Sequence, residues 1–147
     1  MIKTSGGFLI TQIKQIQSRV FDSILRKYGV EEFNGAQGRI LYVLWQEDNL
    51  PIIELSHRTS LAKTTLTSML DRMEQHDIIK RTYNQKDRRQ IKIILTEKSI
   101  ALRAKYDEVS KLMNLLFYKD FTETEIITFE NFLERIFINL REGESNE

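Results

Sequence analysis

The sequence predicts a mainly α fold interrupted by one short β-hairpin. Three observations carry this expectation. Apolar side chains recur at three- and four-residue steps over most of the 147 residues. Two short β-prone runs near the middle are separated by a polar loop, and the helical period resumes directly after them. The length suits one ordinary domain, residues 1–147, and is enough to bury a core. No repeat, low-complexity stretch or long linker divides it.

Ile10, Ile13, Ile16, Val20 and Ile24 form the stripe of a first amphipathic helix, about 8–28, which Gly29 can end. A second apolar helix follows Asn34 and Gly35 with Ile40, Leu41, Val43, Leu44 and Trp45, and stops in the polar turn 46–49. Pro51, the only proline, suits the first turn of a short third helix reaching Arg58, because its missing N–H costs nothing there. Residues 61–75 read as a fourth helix with Leu66, Met69, Leu70 and Met73 on its inner face. Strands are expected at 79–83 and 90–95, joined by the basic loop Asn84-Gln85-Lys86-Asp87-Arg88-Arg89. Two long helices close the chain. One carries Leu102, Tyr106, Val109, Met113 and Leu116 in a heptad-like stripe. The other opens on a capping box, Thr122 to Glu125, and continues with Ile126, Phe129, Leu133, Ile136, Phe137 and Leu140.

Composition excludes several classes. Without cysteine there is no disulfide, no thiolate metal site and no thiol-based sensing, and His57 and His76 alone do not make a metal cluster. Phe8-Leu9-Ile10 is too short for a signal peptide, and no run is apolar enough to span a bilayer, so a soluble cytoplasmic protein is expected. There is no Gly-rich phosphate loop and no catalytic constellation, so an enzyme is not expected and no cofactor is implied. The net charge of +1 conceals an asymmetry. Residues 51–93 hold nine Lys/Arg against five Asp/Glu, whereas 119–147 hold three against eight. Either two ordinary solvated surfaces or a basic binding lobe with an acidic tail would produce it.

The terminal helices carry more Phe, Ile and Leu than one small central module can cover. Pairing of two copies through the joined N- and C-terminal helices is expected, at about 8–28 and 98–141. A monomer wrapped by its own terminal helices is the alternative.

The order helix, helix, short helix, helix, hairpin, long helix, long helix resembles the MarR family of winged helix-turn-helix regulators. Ile53-Glu54-Leu55-Ser56-His57-Arg58 is similar to the first helix of its helix-turn-helix. The segment from Lys63 to Glu74 is similar to its recognition helix. Asp87-Arg88-Arg89, followed by Leu95-Thr96-Glu97-Lys98, is similar to its wing signature, D-x-R and then L-T. The resemblance implies a winged lobe at about 34–97 between N- and C-terminal dimerisation helices. Four positions depart from the family: Ser60, Asp77 and Ser99 stand where glycine is usual, and Ser68 stands where many members carry a basic residue.

By this resemblance the partner is double-stranded DNA, read as a pseudo-palindromic operator by a homodimeric repressor. Affinity then comes from phosphate neutralisation and specificity from base edges. Lys63 meets phosphate at the start of the recognition helix, where backbone amides also point. Thr64, Thr65, Thr67 and Ser68 are short enough for close approach to the major groove, although Thr64 and Thr65 could equally cap or cover the helix. Arg72 either reaches phosphate or pairs with a neighbouring acid. In the wing, the resemblance makes Arg89 the minor-groove residue, with Asp87 holding the loop and Lys86 and Arg88 on phosphate. It also implies release by small aromatic or phenolic anions, with Phe8, Gln12, Ile16, Arg39 and Tyr42 as candidate lining residues, each of which could instead be plain core or surface. A winged-helix adaptor that binds protein and not DNA is the alternative function.

Overall fold

The computed structural model describes residues 1–87 and 89–146, and the chain divides into two compact units, one up to Met113 and one from Asn114 onward. The first unit opens with α1 (Gly6–Lys27) and α2 (Gly35–Gln46). Helix α1 ends where Gly29 adopts φ 75°, as its sequence suggested. Helix α2 starts from a capping box that sequence reading did not single out. The Asn34 side chain accepts from the Gln37 amide at 2.8 Å, and Gln37 Oε1 accepts from the Asn34 amide at 3.1 Å. Gly38 on α2 is a close approach: a Cβ there would lie 2.7 Å from the Tyr106 ring.

The expected third helix begins one residue later than foreseen. Pro51 is extended, with φ −61° and ψ 149°, and precedes α3 (Ile52–Thr59) as its cap. With Leu50 it forms a two-residue strand, β1 (Leu50–Pro51), pairing Leu50 with Ile93. The hairpin is therefore not alone. Strands β2 (Ile79–Tyr83) and β3 (Ile91–Leu95) join β1 in a three-stranded antiparallel sheet of order β1-β3-β2. Proline is tolerated in β1 because that strand is an edge.

Between the strands in sequence lies α4 (Lys63–Gln75), two residues shorter at its start than the periodicity suggested. Leu66, Leu70 and Met73 of α4 are fully buried with Leu41, Leu44, Leu55, Ile78, Ile79 and Ile93. Each such side chain contributes about 1.5–3 kcal/mol relative to exposure.

The helix expected from residue 98 is broken into α5 (Glu97–Ala101) and α6 (Arg103–Phe117). At Leu102 the amide bonds back to Ser99 O at 3.1 Å, a tightened turn that ends the first piece. Of the heptad-like stripe, Leu102, Tyr106 and Val109 join the core, and only Leu116 is exposed.

The second unit holds α7 (Glu123–Ser145) with the end of α6. Its capping box is present as read: Thr122 accepts from the Glu125 amide, and Glu125 Oε1 from the Thr122 amide. Hydrogen bonding from the Thr122 backbone amide, and secondarily from its hydroxyl, holds the Glu125 carboxyl below its ordinary range. Phe117, Phe121 and Phe129 stack edge-on around Tyr118, whose hydroxyl donates to Glu130. Loss of water and that carboxylate together push the Tyr118 hydroxyl up to about 12. No residue of α7 is buried.

Candidate nucleic-acid interface

Helices α3 and α4 are joined by a tight turn at Ser60, whose φ of 59° lies in the left-handed region. Ser56 Oγ donates to Leu61 O across this turn at 2.7 Å, and Thr59 Oγ1 donates to Leu55 O. Arg58 ties α3 to the end of α2 through Glu47 at 2.6 Å and bonds Glu54 within its own helix at 2.9 Å.

Helix α4 leaves the turn from Ala62, which has no side-chain oxygen with which to cap it. Its first-turn amides therefore lack the cap that α2, α5 and α7 possess. Opposite the buried Leu66, Leu70 and Met73, the residues Lys63, Thr64, Thr65, Thr67, Ser68 and Arg72 are all exposed. Thr64, Thr65, Ser68 and Arg72 share an open groove with Gln37 of α2 and its capping residue Asn34. Thr67 differs from its neighbours: its hydroxyl donates to Lys63 O at 2.8 Å, leaving the methyl as its distinctive outward group. Arg72 has no ion pair among the described residues. The acids nearest to it in sequence, Asp71 and Glu74, are both engaged by Arg81, at 2.7 Å each.

Arg81 is the residue that sequence reading passed over. It sits on β2 opposite the buried Ile93, and its side chain is only 13% exposed. That burial alone would lower its pKa, but hydrogen bonds to Asp71 and Glu74 outweigh it and hold the guanidinium above its ordinary value. The available signal was an arginine at an inward strand position shortly after two acids spaced i, i+3 on a helix.

The loop between β2 and β3 is organised by its own side chains. Asp87 Oδ1 accepts from the Arg89 amide at 3.0 Å and from Arg89 Nε at 3.2 Å, while Asn84 bonds Gln90 and the Lys86 amide. The Arg89 side chain is nevertheless 94% exposed, and Lys86 is exposed beside it. Arg88, read above as a phosphate contact, lies outside the described residues.

The model of the MarR family matches residues 33–91. The HTH-type transcriptional regulator SarZ of Staphylococcus aureus is 30% identical over 102 residues, 68% of this chain and 69% of SarZ. The chain belongs to the MarR family. This is a family of transcription regulators, not of enzymes. A second regulator, TtmR of Methylorubrum extorquens, is 35% identical over 89 residues, which is 60% of this chain but only 44% of TtmR. This chain thus spans less than half of that relative. In fold the chain matches a variant of Escherichia coli MarR solved with operator DNA, with a TM-score of 0.80, 24% identity, and coverage of 88% of this chain and 91% of that one.

Within the MarR-family frame, the departures from glycine acquire structural explanations. Ser60 and Asp77 both adopt φ 59°, so both turns form without glycine. Short polar side chains are among the few that visit this region. The L-T segment works through Thr96, whose buried hydroxyl lies 2.7 Å from Asp77 O and accepts from the Ser99 amide. Ser99 completes that capping box from a fully buried position, and its carbonyl receives Trp45 Nε1 at 3.1 Å. Of the five effector candidates, Tyr42 and Arg39 are brought to Tyr106: the two tyrosine rings lie 6.4 Å apart, and Arg39 acts on the Tyr106 hydroxyl electrostatically. Phe8, Gln12 and Ile16 stay exposed on the first half of α1, ahead of Phe21, where α1 meets the core. Among the described residues no helix is long and apolar enough to cross a membrane.

Proposed function

We propose that the chain is a cytoplasmic repressor that binds double-stranded DNA as a homodimer, with α4 in the major groove and the wing tip in the flanking minor groove. The observation that carries this reading is the division of α4. One face is wholly buried, and the opposite face offers Lys63, Thr64, Thr65, Thr67, Ser68 and Arg72 to solvent. Uncapped amides beside Lys63 suit a phosphate. Ser68 and the Thr67 methyl suit base edges, and the exposed guanidinium of Arg89 suits the negative potential of a narrow groove. The E. coli MarR variant of the same fold was solved on operator DNA, which agrees with this assignment.

Dimerisation rests on apolar side chains left uncovered in a single copy: Phe8, Ile13 and Ile16 on α1, and Phe132, Ile136, Phe137 and Leu140 on α7. Paired lobes then meet a pseudo-palindrome whose half-sites lie about 10 base pairs apart, centre to centre. Small aromatic or phenolic anions relieve repression by binding the off-DNA arrangement better, with Arg39 supplying the countercharge beside Tyr42.

Selection of bound genomic fragments, followed by titration at two salt concentrations, tests the reading. A pseudo-palindromic consensus is expected, with log K falling steeply against log salt. Absence of any duplex binding at low salt, random genomic DNA included, would leave a protein-binding adaptor instead. A panel of aromatic carboxylates at millimolar concentration should weaken operator binding, and unchanged affinity and melting temperature would remove the effector from the proposal.

A further inference from the structure

We infer that Arg81, clamped by Asp71 and Glu74, is a positioning residue that fixes the wing relative to the recognition helix without touching DNA. The inference rests on the DNA-binding reading above but concerns residues outside its contact set. Asp71 and Glu74 lie one turn apart on the C-terminal half of α4. Arg81 lies in the middle of β2, at the root of the wing. One guanidinium nitrogen meets Asp71 Oδ1 at 2.7 Å, and the other meets Glu74 Oε1 at 2.7 Å. Glu74 Oε2 also accepts from the Arg81 backbone amide at 3.2 Å, so this carboxylate grips both the side chain and the strand itself.

The rest of the connection is short and already tight. After Gln75 the chain turns through His76 and Asp77, and the Ile78 amide bonds back to Met73 O at 2.9 Å. Backbone closure fixes where β2 begins, whereas the clamp acts two residues farther along it. An isolated surface ion pair contributes little. This one differs in having a mostly buried planar fork with two carboxylates at charge-assisted distance. Rotation of β2 about its root would strand that fork or pull it from both acids. The wing tip and the outer face of α4 are therefore presented as one rigid unit, and a duplex can meet them together without paying to align them.

The sign of one substitution separates positioning from plain electrostatics. Asp71→Asn with Glu74→Gln removes two negative charges from a DNA-facing lobe. If these acids act only through the field, operator binding tightens. If they clamp Arg81, operator binding weakens by about ten-fold, and Arg89→Ala costs less in this background than in the parent, because an unaligned wing no longer delivers Arg89. Arg81→Gln should behave in the same way, with its salt slope unchanged because no phosphate contact is lost. Arg81→Lys should recover only part of the loss.

A second readout needs no DNA. The chain has no cysteine, so Ser68→Cys and Lys86→Cys place spin labels on helix and wing at will. Samples are diluted with unlabelled protein to isolate distances within one chain. A narrow distribution that broadens on adding Arg81→Gln, with far-ultraviolet dichroism unchanged, is the expected result. An unchanged distribution, or tighter operator binding by the Asn/Gln double variant, overturns the clamp. Failure of the unmodified protein to bind any duplex would sink the DNA reading instead, and the label distances would still decide whether Arg81 sets the wing.

Discussion

Helices α4 and α7 are both amphipathic, yet they use their apolar residues in opposite ways. Helix α4 buries Leu66, Leu70 and Met73 completely and turns a polar face outward. Helix α7 is 23 residues long and buries none, with Ile127, Phe132, Phe137 and Leu140 each more than half exposed. An apolar stripe at helical spacing states only that a face needs cover. In α4 the cover comes from the same chain. In α7 it is still outstanding, and several side chains worth about 1.5–3 kcal/mol each on burial wait for it.

The sharpest way to break this contrast is to charge the uncovered face. Ile136→Glu with Phe137→Glu should leave the lobe folded but convert a micromolar dimer to a monomer by sedimentation. Operator affinity should fall about 10²–10⁴-fold as the two half-sites lose their linkage. A parent protein that already sediments as a monomer would end the comparison. Leu70→Ala tests the other side. It should cost about 2–5 kcal/mol in urea unfolding by leaving a cavity in the lobe, without moving the sedimentation mass of the folded state.

Smaller effects sharpen the outward face of α4. Ser68→Ala should cost about 1–3 kcal/mol on operator DNA and relax preference at one base per half-site. Thr67→Ala should reach that range through the lost methyl, so Thr67→Ser should cost nearly as much, since the hydroxyl is already committed to Lys63 O. Lys86→Ala should weaken operator and random duplex alike and lower the salt slope by about one, while Arg89→Ala should lose most where the flank is A·T-rich. Equal losses for Lys86 and Arg89 on every duplex would reduce the wing to a phosphate contact.

The smallest expected effect lies at the start of α7. Removing the capping hydroxyl with Thr122→Ala should lower stability by about 1 kcal/mol at neutral pH. Because Glu125 titrates below its ordinary 4.5 in the folded chain, the stability it adds is present above that value and lost as pH falls through the lowered one. Parent and a Glu125→Gln variant should therefore converge in acid, which urea titrations at several pH values would check.

Much of this was legible in local pattern. The β2 boundaries, the α7 capping box and the inner face of α4 follow from period and cap chemistry within a few residues of each site. What escaped was set by distant partners. Pro51 looked like a helix start because nothing nearby announces Ile93, some forty residues on, as the neighbour of Leu50. The break at Leu102 follows from buried Thr96 and Ser99 locking α5 against Asp77 and Trp45. Arg81 was passed over because nothing local marks Asp71 and Glu74, on the preceding helix, as its partners. For the effector candidates, spacing could place Arg39 and Tyr42 on one helix but not beside Tyr106.

The wing tip has a property of another kind. Its hydrogen bonds among the described residues run within the loop itself: Asn84 to Gln90, Lys86 to Asn84, and Arg89 and Gln90 to Asp87. Such a loop carries its own folding instructions and asks of its host only two antiparallel strands in register. It is a portable part. Under the DNA-binding reading proposed above, moving this loop between hairpins, or exchanging it among relatives over evolutionary time, changes what the flank of a site must offer while the residues of α4 stay untouched.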